Sequence, residues 1–189
     1  MTLLDQNIPD ASTVSVRPVS VRYGLIWGGI SIAISLISFL LGVDPAMPDT
    51  GTAAKMIIGL IGFAVPAWAV FAAIKQHRDQ ELGGYLSLGR GIGVGTLSGL
   101  VAGVISAIWI VLYVMVINPG FTASLQEAQT AQMESQGMSE EQIEMAVSMA
   151  GWFTNPGFLA FSQLFGGVIT GFILGLIIGA IMKREPTGA

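Results

Sequence analysis

Four long apolar runs, at about 24–43, 56–74, 92–117 and 157–182, alternate with polar stretches along the chain. Each approaches or exceeds the roughly 20 residues that carry a helix across a bilayer core, and none shows the strict alternation of a barrel strand. Inside a bilayer the backbone must satisfy its own hydrogen bonds, which leaves the helix as the form for runs of this kind. The pattern predicts an all-α membrane protein with four transmembrane helices spanning residues 22–184. Residues 1–21 are polar, carry Pro9 and Pro18 and lack apolar periodicity, so they read as a flexible tail. They do not read as a signal peptide, because the run that follows is too long and no small-residue cleavage site succeeds it. Residues 185–189 form a second, short tail.

Small residues recur inside the runs at helical spacing. Gly91, Gly95, Gly99 and Gly103 in the third run, and Gly167, Gly171, Gly175 and Gly179 in the fourth, keep a strict four-residue step. That step puts each set on one ridge of a helix, where a neighbouring backbone can approach closely. These eight are the candidate helix-packing positions, either between helices three and four of one chain or between copies in a homo-oligomer. In the first run Gly28, Ser31, Ser35, Ser38 and Gly42 step by three and four, and in the second Gly59, Gly62, Pro66, Ala69 and Ala73 do the same. The shared device predicts that helices one and two are antiparallel partners, joined by a turn over 44–54 that holds Pro45, Pro48 and Gly51. Pro66 lacks the N–H that would reach the Gly62 carbonyl and predicts a kink. The serine seam reads first as packing, since a serine hydroxyl can bond its own i−4 carbonyl; a polar path for a solute is the alternative.

The polar stretch between the third and fourth runs opens with Asn118-Pro119-Gly120-Phe121 and closes with Asn155-Pro156-Gly157-Phe158. Asn caps helices whose first position is Pro, so each copy predicts a helix start. Gly137 can end the first of these helices, and Ser139 with Gln142 is a capping-box pair for another. Glu140 and Glu141 then fall in a first turn, where the helix dipole favours anions. Ala146, Val147 and Ala150 share a face with Ile143, widened by Met145, Met149 and Trp152. An amphipathic helical hairpin over about 119–153 in the outer loop, its second helix lying along the outer membrane surface, is the expectation.

Composition agrees with the class: 52% of residues are hydrophobic and 11% charged, with a mean hydropathy of +0.71, against about 25% charged in soluble domains. Charge placement adds orientation. Arg17, Arg22, Lys75, Arg78, Arg90, Lys183 and Arg184 all fall on one side of the four-span topology, and only Lys55 falls on the other. By the positive-inside rule both termini are cytoplasmic and the 118–156 segment is external, which describes a multi-pass protein of the cell's inner (plasma) membrane. No basic run suggests nucleic acid, and the absence of cysteine removes disulfides and thiolate chemistry.

The run Arg78-Asp79-Gln80-Glu81-Leu82-Gly83-Gly84-Tyr85-Leu86-Ser87-Leu88, taken with Gln136-Gly137-Met138-Ser139-Glu140-Glu141-Gln142-Ile143-Glu144, resembles domain-of-unknown-function family 4199, a group of small bacterial integral membrane proteins. The resemblance covers about residues 20–184 and implies four helices and an acidic outer segment. It brings no reaction, substrate or cofactor. The chain departs from the family pattern at Gly89-Arg90-Gly91, so the resemblance gives position 90 no role.

Candidate chemistry is sparse. No Asp, Glu, Lys, Arg or His lies inside the four apolar runs, and such residues are what proton-coupled transporters and pumps use. His77 is the one histidine, a poor metal ligand without companions. The acids Glu127, Glu134, Glu140, Glu141 and Glu144 lack the alternate-residue spacing and central glycine of an EF-hand. The expectation is therefore no catalytic residue, no cofactor and no metal. The leading reading is a non-catalytic scaffold or accessory subunit that assembles through its glycine ladders with the bilayer, with copies of itself or with a membrane protein partner. Arg78, Asp79, Glu81 and Tyr85 in one hairpin, and Glu140, Glu141 and Glu144 in the other, are the candidate partner-docking residues. Locally, Asp79 and Glu81 are expected to pair with Arg78 or Lys75, Gly83-Gly84 to turn the chain, and Tyr85 to sit at the headgroup level. The alternative is a small oligomeric channel or transporter using the serine seam or Gln163.

Overall fold

The structure, a computed structural model, describes residues 13–44 and 50–184. Most of the amino-terminal tail, the centre of the first turn and the carboxy-terminal tail lie outside them. The elements are α1 (Arg17–Leu40), α2 (Thr52–Gln76), α3 (Leu88–Leu112), α4 (Phe121–Ser135), α5 (Glu140–Phe153) and α6 (Pro156–Met182). Helix α2 runs on through a π-helical turn at His77–Glu81, and α3 through another at Tyr113–Ile117. Four helices, Arg17–Leu40, Thr52–Glu81, Leu88–Ile117 and Pro156–Met182, are long and apolar enough to cross a membrane. Each of the two 30-residue helices measures about 45 Å at 1.5 Å per residue, so their polar ends reach beyond a core of about 30 Å.

The first helix begins earlier than its apolar run suggests. Pro18 stands in the first turn of α1, where a missing N–H costs nothing because that group has no helical partner. Residues 17–21 are therefore helix rather than tail. Val19 and Ser20 are buried, and Val14 and Val16 pack against the same core.

The core lies at one end of the bundle. Its buried residues fall between Val19 and Gly28 of α1, Pro66 and Ile74 of α2, Gly91 and Gly103 of α3, and Gly171 and Met182 of α6. All belong to the helix halves that meet at the end carrying seven of the eight basic residues, here called the basic end. The opposite halves splay. Gly59 and Gly62 of α2 meet nothing within 4 Å, so the expected seam against α1 is absent there, and buried Pro66 stands at the border between packed and open halves.

Helix α1 instead lies chiefly along α3. A Cβ on Gly24 would sit 2.6 Å from Val101 Cβ and 2.7 Å from the Ser98 carbonyl, and one on Gly28 would sit 2.9 Å from Ile105 Cβ. The gaps left by the two glycines are filled by branched side chains of α3. Contact between α1 and α2 is made at the basic end, where Tyr23 packs edge-on against Trp68 at 6.2 Å and its hydroxyl donates to Gln76 Oε1 at 3.1 Å.

The tightest contact is between α3 and α6. Gly91 faces Gly179, Gly95 faces Gly171 and Gly175, Gly99 faces Gly167 and Gly171, and Gly103 lies against Leu164. The two ladders run antiparallel within one chain, backbone on backbone.

At the far end, Gly137 takes φ 75° and closes α4. The Ser139 hydroxyl accepts from Gln142 N at 3.4 Å while Gln142 Oε1 accepts from Ser139 N at 3.0 Å, a reciprocal start to α5. The Asn155 side chain caps α6 by accepting from Gly157 N at 2.8 Å. The first Asn-Pro-Gly-Phe copy behaves differently. Gly120 is the residue at the head of α4, with no side-chain cap, and Asn118 Nδ2 donates to the Tyr113 hydroxyl at 3.3 Å. The preceding π-helical turn is what pulls Asn118 back onto Tyr113, whose carbonyl also accepts from Asn118 N at 2.7 Å.

Candidate functional site

Two polar assemblies stand out, one at each end of the bundle. At the basic end the continuous helix through Glu81 puts residues 77 and 81 one turn apart. His77 is fully buried and its Nδ1 lies 2.7 Å from Glu81 Oε2, while its Nε2 lies 3.1 Å from Arg90 NH1. A guanidinium has donors only, so Nε2 accepts and the hydrogen on Nδ1 is donated to Glu81. Arg90 also donates to the Val14 carbonyl at 2.8 Å. One side chain thereby ties the segment before α1, the end of α2 and the start of α3 together. Gly83 and Gly84, at φ 62° and 93°, reverse the chain, and Leu86 then pairs with Arg184 through backbone bonds of 2.9 and 3.0 Å.

This arrangement alters the expected pairing of the hairpin. Asp79 pairs with Arg78 at 2.6 Å, but Glu81 pairs with His77 and not with Arg78 or Lys75. Arg78 and Asp79 remain partly exposed and Tyr85 is half-buried. Glu140, Glu141 and Glu144 are exposed along α5 at the opposite end. The two groups of candidate docking residues are therefore two separate surfaces. Met145, Met149 and Trp152 are 64%, 64% and 74% exposed, so α5 displays an apolar stripe beside its acids.

At the splayed end an open-sided cavity of about 620 Å³ lies among α1, α2, α3, α4 and the first half of α6. Much of its wall is apolar, with Phe39, Val43, Ile58 and Ile110 among the contributors. Ser31, Ser35 and Ser38 of α1, Ser106 and Trp109 of α3, and Gln163 of α6 supply its polar side. Trp109 Nε1 donates to Ser35 Oγ at 3.1 Å. Tyr113 closes the end through ring contacts with Phe39 at 5.7 Å and Phe121 at 5.5 Å. The serine seam and Gln163 are each visible in the sequence; their meeting in one cavity, and the joining role of Arg90, depend on tertiary placement.

Four helices long and apolar enough to cross a membrane, two of them in backbone contact at their glycines, make this an all-helical protein. Over residues 22–184 the chain matches the family described as Protein of unknown function (DUF4199), and it belongs to that family. No curated protein and no solved structure matches it.

Proposed function

We propose that this chain is a non-catalytic accessory or scaffold protein of the bacterial inner membrane, with both termini cytoplasmic and the α4–α5 hairpin outside. The observation that carries the reading is the sealed basic end. There α3 and α6 touch backbone to backbone, Ala69, Val70, Ala73 and Ile74 are 0% exposed, and the buried His77 cluster lies over them. A conduit needs a continuous polar path, and this half of the bundle offers none among the described residues. Orientation is supported by seven basic residues at the end away from the hairpin.

With both ladders occupied inside one chain, assembly with a partner falls to other surfaces. The apolar and acidic face of α5 suits a membrane protein partner at the outer surface, and the Arg78–Asp79 hairpin suits one inside. Photo-crosslinking in native membranes, with probes at Ser87 and Ser139, tests this. A reproducible adduct to a different protein supports the accessory role, and adducts confined to lipid overturn it. The cavity that joins the serine seam to Gln163 favours one second reading, a small transporter. Solute flux in liposomes that disappears on Gln163→Leu would establish that reading instead.

A further inference from the structure

We infer that the cavity at the splayed end is a binding site for an uncharged amphiphile of the bilayer, an alkyl or isoprenoid chain bearing a hydroxyl or carbonyl head. This goes beyond the accessory role and does not depend on it. Among the described residues, the side chains of Ser31, Ser38, Ser106 and Gln163 form no hydrogen bond, yet all four line this one cavity. Ser20 Oγ and Thr96 Oγ1 are also buried without a partner, but outside this cavity, where four unpartnered side chains gather; Ser98 Oγ by contrast donates to the Val94 carbonyl at 2.8 Å. The cavity serines do not use that option.

Their depth matters. Gln163 lies about 10 Å from the start of α6 at Pro156, and Ser106 about 16 Å from the end of the π-helical turn at Ile117, counting 1.5 Å per residue. That is within the hydrocarbon layer, where an unmet polar group is costly. A hydrogen-bonding occupant relieves it. The largely apolar wall favours an occupant with an apolar body. The volume falls inside the range of about 300–1,000 Å³ typical of small-molecule sites. Charge selects the head. Among the described residues no Lys or Arg lines the cavity, and the charged side chain that does is an acid, Asp44. A phosphate or carboxylate head finds no cation there, whereas hydroxyls and an amide match a neutral head that both donates and accepts.

The test uses the full chain in phosphatidylcholine vesicles and two photoreactive probes of equal chain length, a diazirine monoacylglycerol and the matching diazirine lysophosphatidic acid. The expected result is saturable labelling by the neutral probe of peptides containing Ser31–Ser38, Ser106 or Gln163. It should exceed labelling by the anionic probe at least fivefold and be competed by unlabelled monoacylglycerol. A Ser106→Ala, Gln163→Leu double variant should lower it severalfold while the melting curve is retained. Equal, non-saturable labelling by both probes would mean ordinary lipid filling and overturn the inference. Absence of label from the cavity would mean water alone and overturn it too. The comparison of probes on the unaltered chain decides the matter even if the double variant does not fold.

Discussion

Adding one methyl group at Gly95 tests the α3–α6 contact directly. A Cβ there falls 2.6 Å from Gly175 Cα and 2.9 Å from Gly175 N, and closer still to the Gly171 carbonyl, where ordinary contact begins at 3.4 Å. All three neighbours are backbone, so no change of rotamer relieves the clash. The helices must separate by most of an ångström along a seam shared by both ladders. A gap of roughly 0.5–1 Å forfeits a quarter to a half of the dispersion well of each atom pair across it. Overpacking costs about 1–3 kcal/mol in well-fitted cores, and an unyielding backbone places Gly95→Ala near the top, at about 3 kcal/mol. The ratio of folded to unfolded chain then falls roughly a hundredfold. Gly93→Ala is the control: it adds the same methyl to the same helix at a position with nothing within 4 Å, and helix propensity predicts a gain of about 0.5–1 kcal/mol. The assay is reversible unfolding in mixed micelles on titration with dodecyl sulfate, followed by the fluorescence of the four tryptophans. Equal midpoints for the two variants, or a neutral Gly95→Ala, would refute the reasoning.

Three further outcomes are expected. Arg90→Leu leaves the buried His77 Nε2 and the Val14 carbonyl without their donor and should cost about 1.5–3 kcal/mol; hydrogen exchange at residues 14–20 should quicken, and unchanged exchange would deny Arg90 its tying role. Asn155→Ala removes the cap of α6 at about 1 kcal/mol, read as a lowered unfolding midpoint, and the same value with and without the amide would mean the cap contributes nothing. Because the chain has no cysteine, Ser87→Cys and Ser139→Cys report orientation: a membrane-impermeant maleimide on intact cells should label position 139 only, and the opposite pattern would reverse the topology.

The parts of the fold set by local chemistry are legible in the sequence. Run length gives the four long helices, Gly137 marks the end of α4, and the Ser139–Gln142 pair marks the start of α5, because each depends on neighbours within a turn. Proline is less decisive. Pro18 suits a loose tail or the first turn of a helix equally well, and the choice rests on Val19 and Ser20 finding a core. Partner identity is harder still. A seam of small residues announces a close approach without naming what approaches, so Gly28 gave no sign that Ile105 of α3 would fill its gap. A hairpin pairs Glu81 with the nearest cation, whereas the continuation of the segment as helix brings His77 one turn away instead. Arg90 reaches Val14 across 76 positions, a separation no local pattern encodes.

The cavity follows from where the ladders stop. Gly91 with Gly179 and Gly95 with Gly175 set an antiparallel register, and the step beyond Gly103 and Gly167 brings Ala107 on α3 and Gln163 on α6. A glycine at 163 would let the backbones stay in contact; a glutamine there places a long amide on the ridge where the helices begin to part. On the other side of α3 the change is similar. Gly24 and Gly28 hold α1 against it, and beyond them the small positions are serines 31, 35 and 38, with Trp109 spanning the wider gap to reach Ser35. The half of α2 that precedes Pro66 stands open at the same border. Three helices thus exchange close packing for polar or open contacts at one level. A transport path would require that change to continue to the other end, and the glycine seam forbids it without a separation of α3 from α6. The Gly95→Ala variant, which forces such a separation, therefore also bears on function: flux that appears only in that variant would mean the seam is a closed gate, and its absence would leave the half-open bundle as a holder of what enters from the membrane.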